Sequence, residues 1–313
     1  MPEALRLFVV YAATCGICLW LAHRFLGKIR GPIAAVLLLL PLVSTAAAFW
    51  QGGFYGALNL SYNTAPLHAH AEELPHYGEY SNGPLADQIF QVVPWRKAVR
   101  ELVKNGHAPF LNRFSSGGDP LLGGSQPAPF DPKVWIGFLL PLASAVTFAC
   151  AFVFFQAAFF TFLLARDLGA SDLAAVFAGA IFMTCGFLDF YITWSLVSVV
   201  VTAPFLLLGL RWIARGDRRG PAVAFIAWAL ALVGGHPESV LHVTVLGGLF
   251  FLTELPKSPD VKRAVLTAVA VGLLVFALAA PVVFPFIEAL PQTTDQGRKE
   301  ESHLPGCHEG ISR

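Results

Sequence analysis

Apolar runs of about 20 residues recur along this chain, and that is the length a helix needs to cross the hydrocarbon of a bilayer. Such runs lie near 5–25, 32–52, 143–165, 194–213 and 264–286. Three further runs, about 172–188, 220–235 and 240–255, are shorter or interrupted. Only 13% of the residues are charged, against roughly 25% in a soluble domain, so lipid is the natural solvent for these segments. The predicted fold is an all-α, polytopic transmembrane bundle of about eight spans.

The placement of Lys and Arg supports that count. Arg24, Lys28 and Arg30 fall in one short connection; Arg166 falls in another; Arg211, Arg215, Arg218 and Arg219 share a third; Lys257, Lys262 and Arg263 share a fourth. The alternate short connections, near 187–193 and 235–239, hold neither Lys nor Arg. Basic residues favour the cytoplasmic side. The alternation survives only if the three short segments also cross, and it then places both termini outside. The first run lacks a basic leader beyond Arg6 and reads as a retained span rather than a cleaved signal. A net charge of +1 gives no bulk field for nucleic acid. Cys15 and Cys18 are spaced C-x-x-C but lie inside an apolar run, where they read as small hydrophobes.

The expected organisation is two spans over 1–52, an outer loop over 53–142, a six-helix bundle over 143–290 and a polar tail over 291–313. The tail lacks periodicity and suggests the front part of a longer membrane protein or a divergent end. The loop carries six Lys and Arg residues, which a long translocated loop tolerates. Its first piece holds His68, His70, Glu72, Glu73, His76 and Glu79, a set rich in metal ligands but matching no standard zinc spacing. Its second piece predicts a helix between Pro94 and Asn105-Gly106. Trp95, Val99, Leu102 and Val103 share one face, beside Arg96, Lys97, Arg100 and Lys104. That stripe suits lipid at the interface or packing on protein. Its third piece carries Gly117-Gly118 and Gly123-Gly124, either an anion nest or simple turns.

The order of these pieces carries a resemblance. Asp87-Gln88 and Pro94 are followed by Asn105-Gly106-His107-Ala108-Pro109, Gly117-Gly118-Asp119-Pro120 and Pro127-Ala128-Pro129-Phe130. Gly186-Phe187-Leu188, Trp194 and Pro204-Phe205-Leu206-Leu207-Leu208 come next, then Gly234-Gly235-His236-Pro237-Glu238. Together, over about 55–290, they resemble YfhO-like bacterial membrane proteins, which are similar to the glycosyltransferase C (GT-C) superfamily. The resemblance implies a multi-pass plasma-membrane enzyme that takes a sugar from a polyprenyl-phosphate-linked donor on the outer face. It implies an acidic catalytic or metal-binding residue in the first outer loop, at Asp87, with Mg or Mn as the candidate cofactor. Two departures stand out: an additional span precedes the loop, and chains of that family are considerably longer.

Sugar transfer from a lipid phosphate requires a base, a cation or metal for the leaving phosphate, and a groove for the lipid. Asp87 is the candidate base or metal ligand, with a helix N-cap as its alternative role. Arg96, Arg100 and Arg113 are candidates for the phosphate, because a guanidinium matches it with a planar fork. His236 and Glu238 sit in a short hairpin between apolar runs, where ionisable groups are candidates for function. Asp189 is a weaker third carboxylate. The rival readings are a lipid-precursor transporter and a non-catalytic membrane scaffold.

Overall fold

The computed structural model describes residues 2–56, 58–74, 83–115 and 118–292. His76, Glu79, Gly117 and the polar tail beyond 292 lie outside the described residues. The chain opens with α1 (Glu3–Phe25), α2 (Gly31–Ser44) and α3 (Ala46–Gln51). The long loop follows with short 3-10 turns, a π-helical turn at Gln88–Val92, and α4 (Val93–Lys104). A two-residue antiparallel pair, β1 (Leu111–Asn112) and β2 (Asp119–Pro120), sets Leu111 opposite Pro120. The rest is helical: α5 (Pro132–Ile136), α6 (Leu142–Asp167), α7 (Asp172–Met183), α8 (Gly186–Phe190), α9 (Ser195–Val200), α10 (Ala203–Ala214), α11 (Gly220–Val233), α12 (Pro237–Glu254) and α13 (Val261–Ala289).

Among the described residues, five helical units are long and apolar enough to cross a membrane: α1, α6, the α9–α10 unit, α12 with its following turn, and α13. The chain is therefore an all-α, multi-pass membrane protein. Three shorter apolar helices, α2, α7 and α11, lie among them. A 14-residue helix rises only about 21 Å, short of the roughly 30 Å hydrocarbon.

Two of the sequence boundaries change. The run expected as one helix over 32–52 breaks at Thr45. Pro41 removes a backbone donor, and the Thr45 backbone N–H and hydroxyl both turn back to the Pro41 carbonyl, at 3.3 and 3.1 Å. Conversely, the run over 240–255 starts earlier, at Pro237, because His236 caps it. That helix is long rather than short.

α6 forms the centre. It is apolar all round, as a helix surrounded by others must be. Its phenylalanines stack along one side: Phe152 on Phe155 at 6.0 Å, Phe155 on Phe159 at 5.2 Å, and Phe160 on Phe205 of α10 at 4.6 Å. Small residues let the backbones close in, which is how helices associate without a hydrophobic drive between them. A Cβ on Gly179 of α7 would lie 2.4 Å from the Ala158 carbonyl oxygen, and one on Gly209 of α10 would lie 2.4 Å from the Ala224 nitrogen of α11.

The bundle has two unlike ends. At one, the basic connections converge. Arg166 donates to the Lys28 carbonyl at 2.8 Å and Arg219 to the Leu26 carbonyl at 2.7 Å, while Arg30 faces Asp172 at 3.4 Å. Arg211 joins Asp167 at 2.7 Å and Glu254 at 2.6 Å, and Lys257 meets Glu254 at 2.9 Å. At the other end, the loop is fastened. The Ser144 hydroxyl lies between the Glu3 carboxylate and the Gly52 carbonyl, with one proton to share between these acceptors, and Thr147 bridges the Gly53 carbonyl and the Tyr55 N–H.

Candidate functional site

Helix α4 forms where the sequence places it, and it organises the loop end. Its apolar side, Ala98, Val99 and Leu102, packs with Leu121 and Val134, with Phe138 alongside. The stripe thus faces protein, not lipid. Arg100 explains the orientation. Its guanidinium donates to the Leu140 carbonyl at 2.5 Å and the Gly137 carbonyl at 2.8 Å, and it lies 5.4 Å from the Phe138 ring centroid. Arg100 therefore ties α4 to the start of α6 instead of offering its fork to a phosphate.

One turn earlier, Arg96 points elsewhere. It lines a narrow cleft with Lys133, Thr193, Ser195, Ser198 and Gly234. Lys133 is buried and contacts the carboxylate of Asp131, which also accepts the Lys133 backbone N–H at 3.0 Å and so caps α5. Burial pulls both cations below their ordinary pKa; the field of Asp131 opposes this, and Arg96 depresses Lys133 further. Arg96 Nε and Thr193 Oγ1 are both buried without a partner.

Beside the cleft opens a groove of about 1190 Å³. Its walls are α1 and α11, and its floor is the Phe152, Phe155 and Phe159 row of α6. It runs from Asp131 and Pro132 at the loop end to Phe25, Arg218 and Arg219 at the basic end. Asp131 borders the groove while its ion-pair partner Lys133 borders the cleft, so the two spaces adjoin.

The remaining sequence candidates fall as follows. Asp87 does not cap its helix; its carboxylate accepts from Gln91 Nε2 at 2.9 Å. His236 caps α12, its Nδ1 accepting the Ser239 N–H at 3.2 Å. Burial lowers the His236 pKa, with Glu238 opposing and His242 adding to the shift. Glu238 itself is exposed. The turn before His236 packs under the loop: a Cβ on Gly235 would lie 2.7 Å from the Ser125 carbonyl oxygen. The structure thus brings Arg96 and the His236 turn to one cleft, through Gly234. Among the described residues, Asp87 makes no polar contact with that turn, and Arg113 is exposed beside the β pair.

Asp189 is exposed and lies against the Tyr55 hydroxyl, whose pKa is pushed up by burial and then by that carboxylate. Gly123 is pressed against the Pro285 carbonyl of α13, a packing role rather than an anion nest. His68 and His70 are exposed, and His70 faces Glu73 at 3.4 Å. Among the described residues, no three His, Cys, Asp or Glu side chains converge as a metal site. Asp87 brings one carboxylate and one neighbouring amide, so a cation there would depend on water and substrate oxygens for most of its shell.

Sequence reasoning missed Lys133, Thr193, Ser195 and Ser198. Asp131-Pro132-Lys133 carries a readable helix-start signal, but only the fold shows its lysine turned inward. No protein-family model, curated protein or solved structure matches the chain.

Proposed function

We propose that this chain is a multi-pass transferase of the GT-C kind. In this reading all eight apolar segments cross a bacterial plasma membrane, with the basic end in the cytoplasm and both termini outside. The donor is a sugar linked to a polyprenyl phosphate. The observation that carries the reading is the long apolar groove that ends beside a cationic cleft. An isoprenoid tail matches the phenylalanine floor, and a phosphate matches the cations at the loop end.

The chemistry follows from that placement. The acceptor hydroxyl attacks the anomeric carbon, its proton passes to Asp87, and the bond from that carbon to the phosphate oxygen breaks. Cationic groups then stabilise the departing phosphate. His236 and Glu238, which follow the cleft-lining Gly234 along the chain, are proposed to contact the sugar or acceptor. Mg or Mn, bound by Asp87 and phosphate oxygens, belongs to the same proposal.

The test is release of polyprenyl phosphate from a radiolabelled polyprenyl-phosphate sugar by the chain in nanodiscs. Asp87→Asn is expected to lower the rate by about 10²–10⁴-fold, the range for a lost general base. EDTA followed by Mg readdition reads the metal requirement. A second reading, a lipid-holding scaffold without transfer, draws on the absence, among the described residues, of a polar contact between Asp87 and the His236 turn. It gains if the donor binds and is never consumed.

A further inference from the structure

We propose that the cleft formed by Arg96, Lys133, Thr193, Ser195 and Ser198 is an anion site that takes one oxygen of a phosphate group. The assignment deepens the transferase reading, and rests on it only for what the phosphate is attached to.

Three observations support it. The first is charge. Arg96 and Lys133 both line the cleft, and among the described residues the carboxylate paired there is Asp131, in contact with Lys133. One positive charge is left over in a poorly hydrated place, where an unpaired ion is costly. At the basic end the extra cations around Glu254 reach water, with side-chain exposures of 42% for Arg215 and 59% for Lys257; Arg100, also buried, is spent on the Leu140 and Gly137 carbonyls.

The second observation is the set of unused donors. Thr193 is 4% exposed, its hydroxyl has no partner, and it lines the cleft. Arg96 Nε is likewise buried and unpaired. Orphaned buried donors are rare in folded proteins and call for an explanation. Ser195 and Ser198 line the same cleft. Side chains from the loop, from the α8–α9 connection and from α9 thus line one cleft.

The third is size and position. The cleft admits about one water-sized atom, the scale of a single phosphate oxygen. The bulk of the phosphate then stays at the mouth, where Asp131 and Pro132 begin the apolar groove. An alkyl or isoprenyl phosphate can enter both spaces at once, whereas free phosphate fills only the first.

The experiment is calorimetry on the full chain in detergent, with inorganic phosphate, decyl phosphate and decanol as probes. Both phosphate compounds are expected to bind, with decyl phosphate the tighter. The near-isosteric Thr193→Val is expected to weaken both by about fivefold, and Arg96→Met by about tenfold or more, as for losing one neutral and one charged hydrogen bond. Lys262→Gln, an exposed change in the first turn of α13 that lines neither space, is expected to leave both unchanged. Absence of phosphate binding would mean the cleft holds only a water, and the proposal falls. It falls equally if Thr193→Val and Arg96→Met bind phosphate as the wild type does. If inorganic and decyl phosphate bind equally well through Arg96, the anion site stands and the lipid-tail part of the transferase reading fails.

Discussion

The two ends of the bundle use buried cations in opposite ways. At the basic end, Arg211 is 6% exposed and is held by Asp167 on α6 and Glu254 on α12; its neighbour Trp212 also donates to Asp167 at 2.7 Å. The buried Arg211 and Glu254 are both paired there, and Arg215 and Lys257 beside them reach water. At the loop end, Lys133 shares Asp131 with Arg96, and Arg96 Nε and Thr193 Oγ1 stay unpaired. The closed network fastens three helices. The open one lines a cleft and keeps unpaired donors. Arg211 and Arg100 spend their guanidinium groups on protein acceptors, although Arg100 keeps its Nε unpaired as Arg96 does.

The largest effect is expected at the closed end. Arg211→Met leaves Glu254, 3% exposed, without its shortest partner. Breaking a buried pair this way costs about 3 kcal/mol, toward the low end because Lys257 and Arg215 remain. Thermal unfolding in detergent reads it. If the melting temperature is unchanged, the network is not what holds α6, α10 and α12 together. Arg100→Met comes next. It strands the Gly137 and Leu140 carbonyls and is expected to cost about 1–3 kcal/mol while leaving phosphate binding intact. Equal loss of phosphate affinity in Arg100→Met and Arg96→Met would erase the distinction drawn between these two arginines.

A smaller effect is expected with pH. The His236 pKa is lowered by burial, and Nδ1 must be unprotonated to accept the Ser239 N–H. A folded pKa below the unfolded value of about 6.5 penalises the folded state as that imidazole charges. Stability is therefore full above the unfolded pKa and declines as pH falls below it. His236→Asn, which keeps a capping side chain, is expected to flatten that decline. A slope that survives the substitution assigns it to another group.

Much of the fold was legible in the sequence, for a physical reason. Lipid forces each crossing to be a continuous apolar helix, so α1, α6, the α9–α10 unit and α13 stand out by length alone. The break at Thr45 was hidden because Pro41 lies inside an apolar run that neighbouring helices tolerate. The helix of the loop was readable from its Pro and Asn-Gly ends, but which way it faces was not. Trp95, Val99 and Leu102 suit lipid and protein equally, and only the Arg100 bonds to carbonyls some 40 residues on decide it. The cleft was least legible, since Arg96, Lys133 and Thr193 come from three separate stretches and meet only through tertiary packing.

The central claim is that the surplus charge in the cleft waits for an anion, and one stability comparison tests it directly. The melting temperature of the wild type and of Arg96→Met is measured with and without decyl phosphate. Removing an unpaired buried cation is expected to leave the unliganded protein at least as stable, and decyl phosphate is expected to raise the melting temperature of the wild type only. If Arg96→Met instead destabilises the protein as Arg211→Met does, and decyl phosphate stabilises both chains alike, Arg96 is one more structural cation and the contrast between the two ends is gone.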